Sequence, residues 1–392
     1  MICYQNTVSG FLEKSENILV PVKHEHVVFC KLGPRQEELY HKFMRSNAVR
    51  RLLSDVENGR GGSGEKLQPL KAITLLKKLC NDPRLLDASS EFPGLKLDLD
   101  PELKNDHNFQ KLESKMILLD RMLAKIKANE EKVVLISNYT QTLDLFEKMC
   151  RVRHYPTLRL DGSMTINKRQ KLVDTFNNPE NPEFVFLLSS KAGGCGLNLI
   201  GANRLILFDP DWNPAADQQA LARVWRDGQG KSCFIYRFIG TGTIEEKIFQ
   251  RQTHKLSLSS CVVDEQEDVE RHFSLDNLRR LFQLNEQSTC ETHDAFKCRR
   301  CVKEIQSKEG DMNYGDASTW NHYSAKEFHK LPDPMLRECI KGIGTFVFQY
   351  KSHQEKPPSA QKPLNNKEEF KRRQNGAEMD FEIDEMEDSE DE

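Results

Sequence analysis

Between Lys111 and Phe238, short apolar runs alternate with stretches of helical apolar spacing, and this alternation most constrains the fold. Val133–Ser137, Thr157–Leu160, Phe184–Leu188, Arg204–Phe208 and Phe234–Phe238 are four to five residues long, as expected of strands. The run Val133-Val134-Leu135-Ile136 has no polar alternation, the pattern of a strand covered on both faces of a parallel sheet. Leu112–Lys127, Leu143–Cys150, Lys168–Phe176 and Ala215–Val224 carry apolar residues at helical spacing. Strand and helix in turn predict an α/β fold with a doubly wound parallel sheet. In such sheets ligands sit at the C-terminal strand ends, so the loops there are where chemistry is sought.

The flanks read differently. Val22–Leu32 is a predicted strand entering a turn at Gly33-Pro34, and Gln36–Leu53 is helical through Leu39, Phe43, Val49, Leu52 and Leu53. Gly59–Gly64 is a glycine-rich loop, Leu70–Leu79 a second helix stopped by Asn81-Asp82-Pro83, and Glu91–His107 irregular and polar. This first segment has no complete core of its own. Past the α/β region, Cys290, Cys298 and Cys301 cluster, while the other cysteines lie scattered among apolar runs, the usage of a reducing compartment. Glu378–Glu392 holds ten Asp or Glu and no Lys or Arg, so without it the net charge of −3 becomes +7. A basic body is compatible with nucleic acid, and the tail has too few apolar residues to fold. No apolar run approaches the roughly 18 residues of a membrane span, and Met1–Gly10 has no signal-peptide pattern, so no membrane partner is expected.

Phe184–Leu188 runs into Ser189-Ser190-Lys191-Ala192-Gly193-Gly194-Cys195-Gly196-Leu197-Asn198. A strand ending in Ser, Lys and Gly offers backbone N–H groups and hydroxyls to phosphate oxygens; equally, a tight turn needs glycine for its backbone angles. In Gln219-Ala220-Leu221-Ala222-Arg223-Val224-Trp225-Arg226-Asp227-Gly228-Gln229, a helix would place Arg223 and Arg226 on one face. Two guanidinium groups there suit a transferring γ-phosphate, though such pairs also make solvated salt-bridging faces.

Taken together, these segments resemble motifs five and six of the superfamily-two helicases in their Swi/Snf form. Asn203–Pro214, Lys132–Tyr139 and Leu160-Asp161-Gly162-Ser163 match the same group. Within it, Ser137–Asp144, Cys195 in the glycine run, Cys261–Glu265, Thr292-His293-Asp294 and Trp320-Asn321-His322 resemble the homologous-recombination translocase of the Rad-fifty-four type. The resemblance implies a RecA-like second motor lobe of a DNA-dependent ATPase. It implies a nuclear protein of double-strand-break repair that moves on double-stranded DNA with ATP and Mg, remodels nucleosomes and assists a RecA-like strand-exchange recombinase filament. It makes Arg223 and Arg226 arginine fingers with Gln229 beside them, puts Gly196 and Asn198 at the nucleotide cleft, and turns Asn138, Thr140, Ser189, Ser190 and Lys191 to the DNA backbone. Trp212 reads as a packing anchor or a DNA-proximal wedge.

Cys290-x2-His293-x4-Cys298-x2-Cys301, with His322 further on, has the composition of a tetrahedral zinc site. The surroundings suggest no large apolar core, so a metal would contribute folding energy. Spacing leaves the fourth ligand open between Cys290 and His322; the resemblance favours His293, Cys298, Cys301 and His322. The resulting division is 1–110, a remnant of the first motor lobe plus a helical insertion; 111–282, the second lobe; 283–353, a small zinc-binding domain; and 354–392, a disordered acidic tail.

A motor of this class also needs a P-loop and an acidic Mg motif. Gly59–Glu65 has the glycine spacing, but Glu65 stands where Lys is required; Gly230-Lys231-Ser232 has Trp225 in place of the earlier Gly. The chain therefore reads as the C-terminal portion of such a protein, inactive alone because ATP with Mg needs the other lobe. A non-catalytic module binding DNA or recombinase is the competing reading. A third has the acidic tail, with Ser389 in a kinase-suited setting, compete with DNA.

Overall fold

In the computed structural model, residues 20–57, 69–86, 106, 109–162, 164–194, 196–259 and 275–353 are described. The loop at 59–64, most of the stretch at 91–107, Ser163, Cys195, the 261–265 segment and the acidic tail lie outside the described residues. The strands are β1 (Lys23–Cys30), β2 (Val133–Ser137), β3 (Thr157–Leu160), β4 (Val185–Ser189), β5 (Arg204–Leu207), β6 (Cys233–Gly240), a small hairpin of β7 (Cys301–Val302) and β8 (Ile305–Gln306), then β9 (Asn321–Ser324) and β10 (Gly344–Lys351). All but the hairpin form one sheet in the order β3-β4-β2-β5-β6-β1-β10-β9. The six strands from β3 to β1 are parallel; β10 and β9 add on antiparallel.

The helices are α1 (Pro34–Arg45), α2 (Asn47–Glu57), α3 (Pro69–Asn81), α4 (Ser114–Ala128), α5 (Thr140–Val152), α6 (Ile166–Asn177), α7 (Pro214–Leu221), α8 (Ile244–Ser259), α9 (Leu275–Phe282), α10 (Glu291–Ala295) and α11 (Pro334–Cys339). Successive residues of a strand point to opposite faces, so an unbroken apolar run serves two layers. Val133 and Leu135 of β2 pack with α4 and α5, while Val134 and Ile136 pack with residues of α6 and α7. This is the doubly wound arrangement expected from the alternation.

Two boundaries differ from the sequence reading. The strand at the start, assigned there with the first motor lobe, is a central strand of this sheet. β1 pairs in parallel with β6 from Lys23↔Cys233 to Cys30↔Gly240, and antiparallel with β10 on its other side. Its eight residues are all buried, which an isolated remnant would leave unpaired. The segment beyond residue 283 likewise has no separate sheet for β9 and β10. Its core is shared: Trp320, Phe346 and Phe348 pack with Val27 and Phe29 of β1, where the sequence suggested little apolar support.

Helices α1, α2, α3 and α9 pack around Leu39, Phe43, Leu76, Leu79 and Phe282, and close this core on Ile244 and Ile248 of α8. The single helix expected over 36–53 is broken at Ser46, whose N–H bonds to Phe43 O. Gln36 fixes the entry: its Oε1 accepts from Gly33 N at 3.1 Å, and its Nε2 donates to Leu79 O at 2.8 Å. The helical insertion is thereby tied to the strand edge rather than standing free.

Candidate functional site

The C-terminal strand ends bring the motif residues together. Ser137 ends β2 opposite Ser189 at the end of β4. Past them, Ser190 Oγ donates to Asn138 Oδ1 at 2.5 Å, and Asn138 Nδ2 donates to Asp209 O at 3.0 Å. Ser190, Lys191, Gln219 and Arg223, with Leu188, Ala216 and Ala220, line a cavity of about 160 Å³. Beside it, a methyl group placed on Gly196 would lie 3.7 Å from Arg226 Nη1 and 4.0 Å from Arg223 Nη1, so both guanidinium groups converge on that glycine. Arg226 Nη1 also donates to Gly196 O at 2.8 Å. Two guanidinium groups, a lysine and a hydroxyl at and beside a small cavity form a surface complementary to phosphate oxygens.

The arginines do not meet as the sequence predicts. Helix α7 ends at Leu221, with Ala222 as its C-cap, so Arg223 and Arg226 lie on successive turns and not on one helical face. Tertiary bonds take the carbonyls that a continued helix would use. Leu199 N donates to Arg223 O at 2.9 Å, and Gln229 Nε2 donates to Val224 O at 2.9 Å. Trp225 Nε1 donates to Pro21 O at 2.7 Å, which ties the turn to the approach to β1.

The other expected residues divide. Thr140 and Lys191 are exposed at the strand edge, and Asn138 and Ser190 are half-buried beside them. Ser189 is only 4% exposed, as the last residue of β4, and stands behind Ser190. Gln229 is 5% exposed, with its amide spent on Ile200 O, Ala202 O and Val224 O, so it braces the turn. Asn198 accepts from Asn177 Nδ2 through its carbonyl, and its own Oδ1 is buried without a hydrogen-bond partner. Trp212 packs against the helical core and under Arg251, the setting of an anchor.

The sequence reading missed the groups behind this edge. Buried Asp209 accepts from Ser137 Oγ at 2.5 Å, Asn138 N at 2.9 Å and Asn81 Nδ2 at 2.8 Å. Asn81 Oδ1 accepts from Lys115 Nζ, which also donates to Glu245 Oε1 at 2.6 Å. Asp209 follows the apolar run of β5 and lies inside the resembling stretch Asn203–Pro214, but that stretch does not reveal its hydrogen-bond partners; Asn81 and Lys115 are distant in sequence and carry no such signal.

The metal-type residues form a second site. His293, Cys298, Cys301 and His322 offer ligand atoms that all lie within 4.8 Å of one another. His322 Nδ1 is 3.5 Å from Cys298 Sγ and 3.3 Å from Cys301 Sγ. Tetrahedral zinc with bonds of about 2.0–2.3 Å sets its ligands roughly 3.3–3.8 Å apart, so these separations fit. His293 Nε2 is buried with no hydrogen-bond partner, as expected of a ring nitrogen kept for an ion. Burial pushes His322 down to about 3 and Cys301 up to about 12, so the imidazole is neutral and the thiol needs a cation to ionise. Cys290 stands apart: 1% exposed, it caps α10 by accepting from His293 N and donates to Glu246 Oε1 at 3.4 Å. The β7–β8 hairpin that carries Cys301 turns through Lys303 and Glu304, with φ of 50° and 67°.

The helicase conserved C-terminal domain family matches residues 114–228. DNA repair protein rhp54 of Schizosaccharomyces pombe is 60% identical over 85% of this chain and 39% of that protein. DNA repair and recombination protein RAD54 of Saccharomyces cerevisiae is 57% identical over 88% of this chain and 39% of that protein. The RAD54-like protein of Homo sapiens is 51% identical over 90% and 47% respectively. The chain thus spans about two-fifths to one-half of the length of these curated relatives. Among solved structures, the Sulfolobus solfataricus SWI2/SNF2 ATPase core in complex with dsDNA shares the fold, with a TM-score of 0.50 and 23% identity over 67% of this chain and 50% of that one.

Proposed function

Since this chain belongs with the C-terminal portion of the Rad54-type, Swi2/Snf2-class DNA repair proteins, we propose that it forms the second motor lobe of an ATP-dependent translocase on double-stranded DNA. The convergence of Arg223 and Arg226 on Gly196, beside the cavity of Ser190, Lys191 and Gln219, carries this reading. In it the two arginines offset charge developing on the γ-phosphate of ATP. ATP and Mg are held mainly by a P-loop lobe, and the 392 residues here contain no P-loop. Asn138, Thr140, Ser190 and Lys191 face the DNA backbone, with Asp209 orienting Asn138. Gln229 and Ser189 act behind them, as braces.

Zinc held by His293, Cys298, Cys301 and His322 belongs to the same reading, in a structural role: a closed four-ligand site has no open position for substrate. The cellular context proposed is the nucleus, in homologous recombination, with a RecA-like recombinase filament and nucleosomes as partners. The test is DNA-stimulated ATP hydrolysis by a protein that carries both lobes. Arg226→Ala should lower the turnover number by about 10³-fold or more while leaving folding intact. Unchanged turnover overturns the role. The chain alone should hydrolyse no ATP; duplex binding without any contribution to hydrolysis in the two-lobed protein would favour the binding-module reading.

A further inference from the structure

A second basic cavity opens on the same edge of the sheet. It has a volume of about 490 Å³ and is lined by Lys31, His329, Arg337 and Lys341 around Phe328 and the Gly342–Gly344 turn. Its lining carries no Asp or Glu. The nearby carboxylates are engaged elsewhere: Glu338 with Lys125 at 2.8 Å and Glu327 with Lys330 at 2.7 Å. Among the described residues, no carboxylate comes within 4.0 Å of the charged nitrogens of Lys31, Arg337 or Lys341, although Lys341 acts through space on Glu338, whose direct partner is Lys125. The carbonyls at the end of α11, which would repel an anion, are covered as well, because Arg121 Nη1 donates to Cys339 O and Lys341 O. Arg337 is oriented by its Nε–H bond to Leu331 O at 3.0 Å.

Position adds a second argument. Lys31 follows the last residue of β1, Ala325 follows the last of β9, and Gly344 opens the antiparallel β10, so three connections meet at one edge. That edge is also where β2 and β4 deliver Asn138, Ser190 and Lys191. From β2 to β10 is four strand spacings in the order β2-β5-β6-β1-β10, about 19 Å. This is roughly half of a duplex turn of 34–36 Å, a span over which a single duplex presents a regular array of phosphates.

We propose that this cavity is a second phosphate-binding site, and that its ligand is the backbone of duplex DNA held at the strand edge. Lys31 and Lys341 supply exposed charges on long, pliant stems, Arg337 a fixed guanidinium, and Phe328 an apolar floor for the sugar. The proposal rests on the DNA-binding reading above, yet the site includes none of the motif residues.

The test is binding of a labelled duplex of about 30 base pairs to the intact chain, followed across a salt series. The double variant Lys31→Gln/Lys341→Gln should weaken binding about 10-fold and reduce the slope of log K against log[salt] by about 1.8, because two phosphates would no longer be neutralised. Lys31→Arg/Lys341→Arg should retain both quantities, and Lys148→Gln, an exposed lysine of α5 outside the cavity, should change neither beyond a few tenths in slope. Unchanged melting temperatures exclude misfolding, since both lysines are exposed. An unchanged slope in the Gln variant overturns this proposal and leaves the motor reading intact; a wild-type chain without salt-dependent duplex binding overturns both. If the Gln variant loses binding to poly-glutamate but keeps its duplex slope, the partner is an acidic protein and the assignment to DNA fails.

Discussion

Lys115 shows how much of the strand edge depends on charges that never see water. Its side chain and that of Glu245 are fully buried, and the ammonium is shared among Glu245, Asn81 Oδ1 and Phe208 O. Burial raises the Glu245 carboxyl while the Lys115 ammonium opposes the shift. Removing one member leaves the other charge uncompensated. Lys115→Met should therefore cost about 3–5 kcal/mol, and Lys115→Met/Glu245→Met should recover most of that loss, as read by urea unfolding. His26 makes a pH-dependent case. It is buried on β1, stacked on Tyr236 at 5.3 Å, and burial lowers it to about 4 from an ordinary 6.5. Below pH 6.5 the unfolded chain binds a proton that the folded chain refuses. The stabilisation is complete above that pH and declines as pH falls towards 4. Wild type should lose about 1–2 kcal/mol more than His26→Phe between pH 7 and pH 5. Burial raises Asp217 to about 6, an opposite contribution, but it is common to both proteins and cancels in the difference.

At the scale of elements, the strands of the α/β region were legible because a strand covered on both faces must be apolar throughout, as in Val133–Ile136. The end of α7 was not legible. Ala220-Leu221-Ala222-Arg223 suits a helix locally, and what stops it is a bond from Leu199 N and the Gln229 amide, partners that local sequence does not reveal. The metal-type cluster was legible by residue type, but spacing alone left Cys290 and His322 open; only the resemblance favoured His322, and the contact that occupies the Cys290 thiol comes from Glu246, 44 residues earlier. Nor could the pattern of β1 say which sheet it joins. Apolar Val27, Val28 and Phe29 fit any buried strand, and only the pairings with β6 and β10 decide. That placement has a consequence. A chain beginning at Lys111 loses the strand between β6 and β10, exposing two hydrogen-bonding edges and the apolar faces around Phe238 and Phe348. It should fail to melt cooperatively and should bind a hydrophobic dye, as followed by near-ultraviolet circular dichroism and fluorescence. A sharp transition like that of the 392-residue chain would mean that β1 is dispensable.

For the molecule as a whole, one sheet joins the C-terminal strand ends that carry Asn138, Ser190 and Lys191 to the metal-type cluster. His322 sits on β9, β9 pairs with β10, and β10 pairs with β1, so the cluster is two strands from the parallel part of the sheet. Lys23 at the start of β1 makes a further connection: its Nζ lies 3.7 Å from the centre of the Tyr314 ring and 4.8 Å from that of Trp225, on the arginine-bearing turn. Elements coupled through a continuous sheet and a shared aromatic core unfold together unless one has a core of its own. Trp320, Phe346 and Phe348 share theirs with Val27 and Phe29. Withdrawal of zinc by a chelator should therefore lower a single melting transition of the whole described body, by roughly 5 °C or more. Cys298→Ser should reproduce the shift and lose the bound metal, whereas Cys290→Ser should keep one zinc per chain by elemental analysis. Two separate transitions, with only a small one responding to chelator, would show instead that the cluster belongs to a lobe stable apart from the parallel strands. An unmoved melt together with no bound metal would remove zinc from the account.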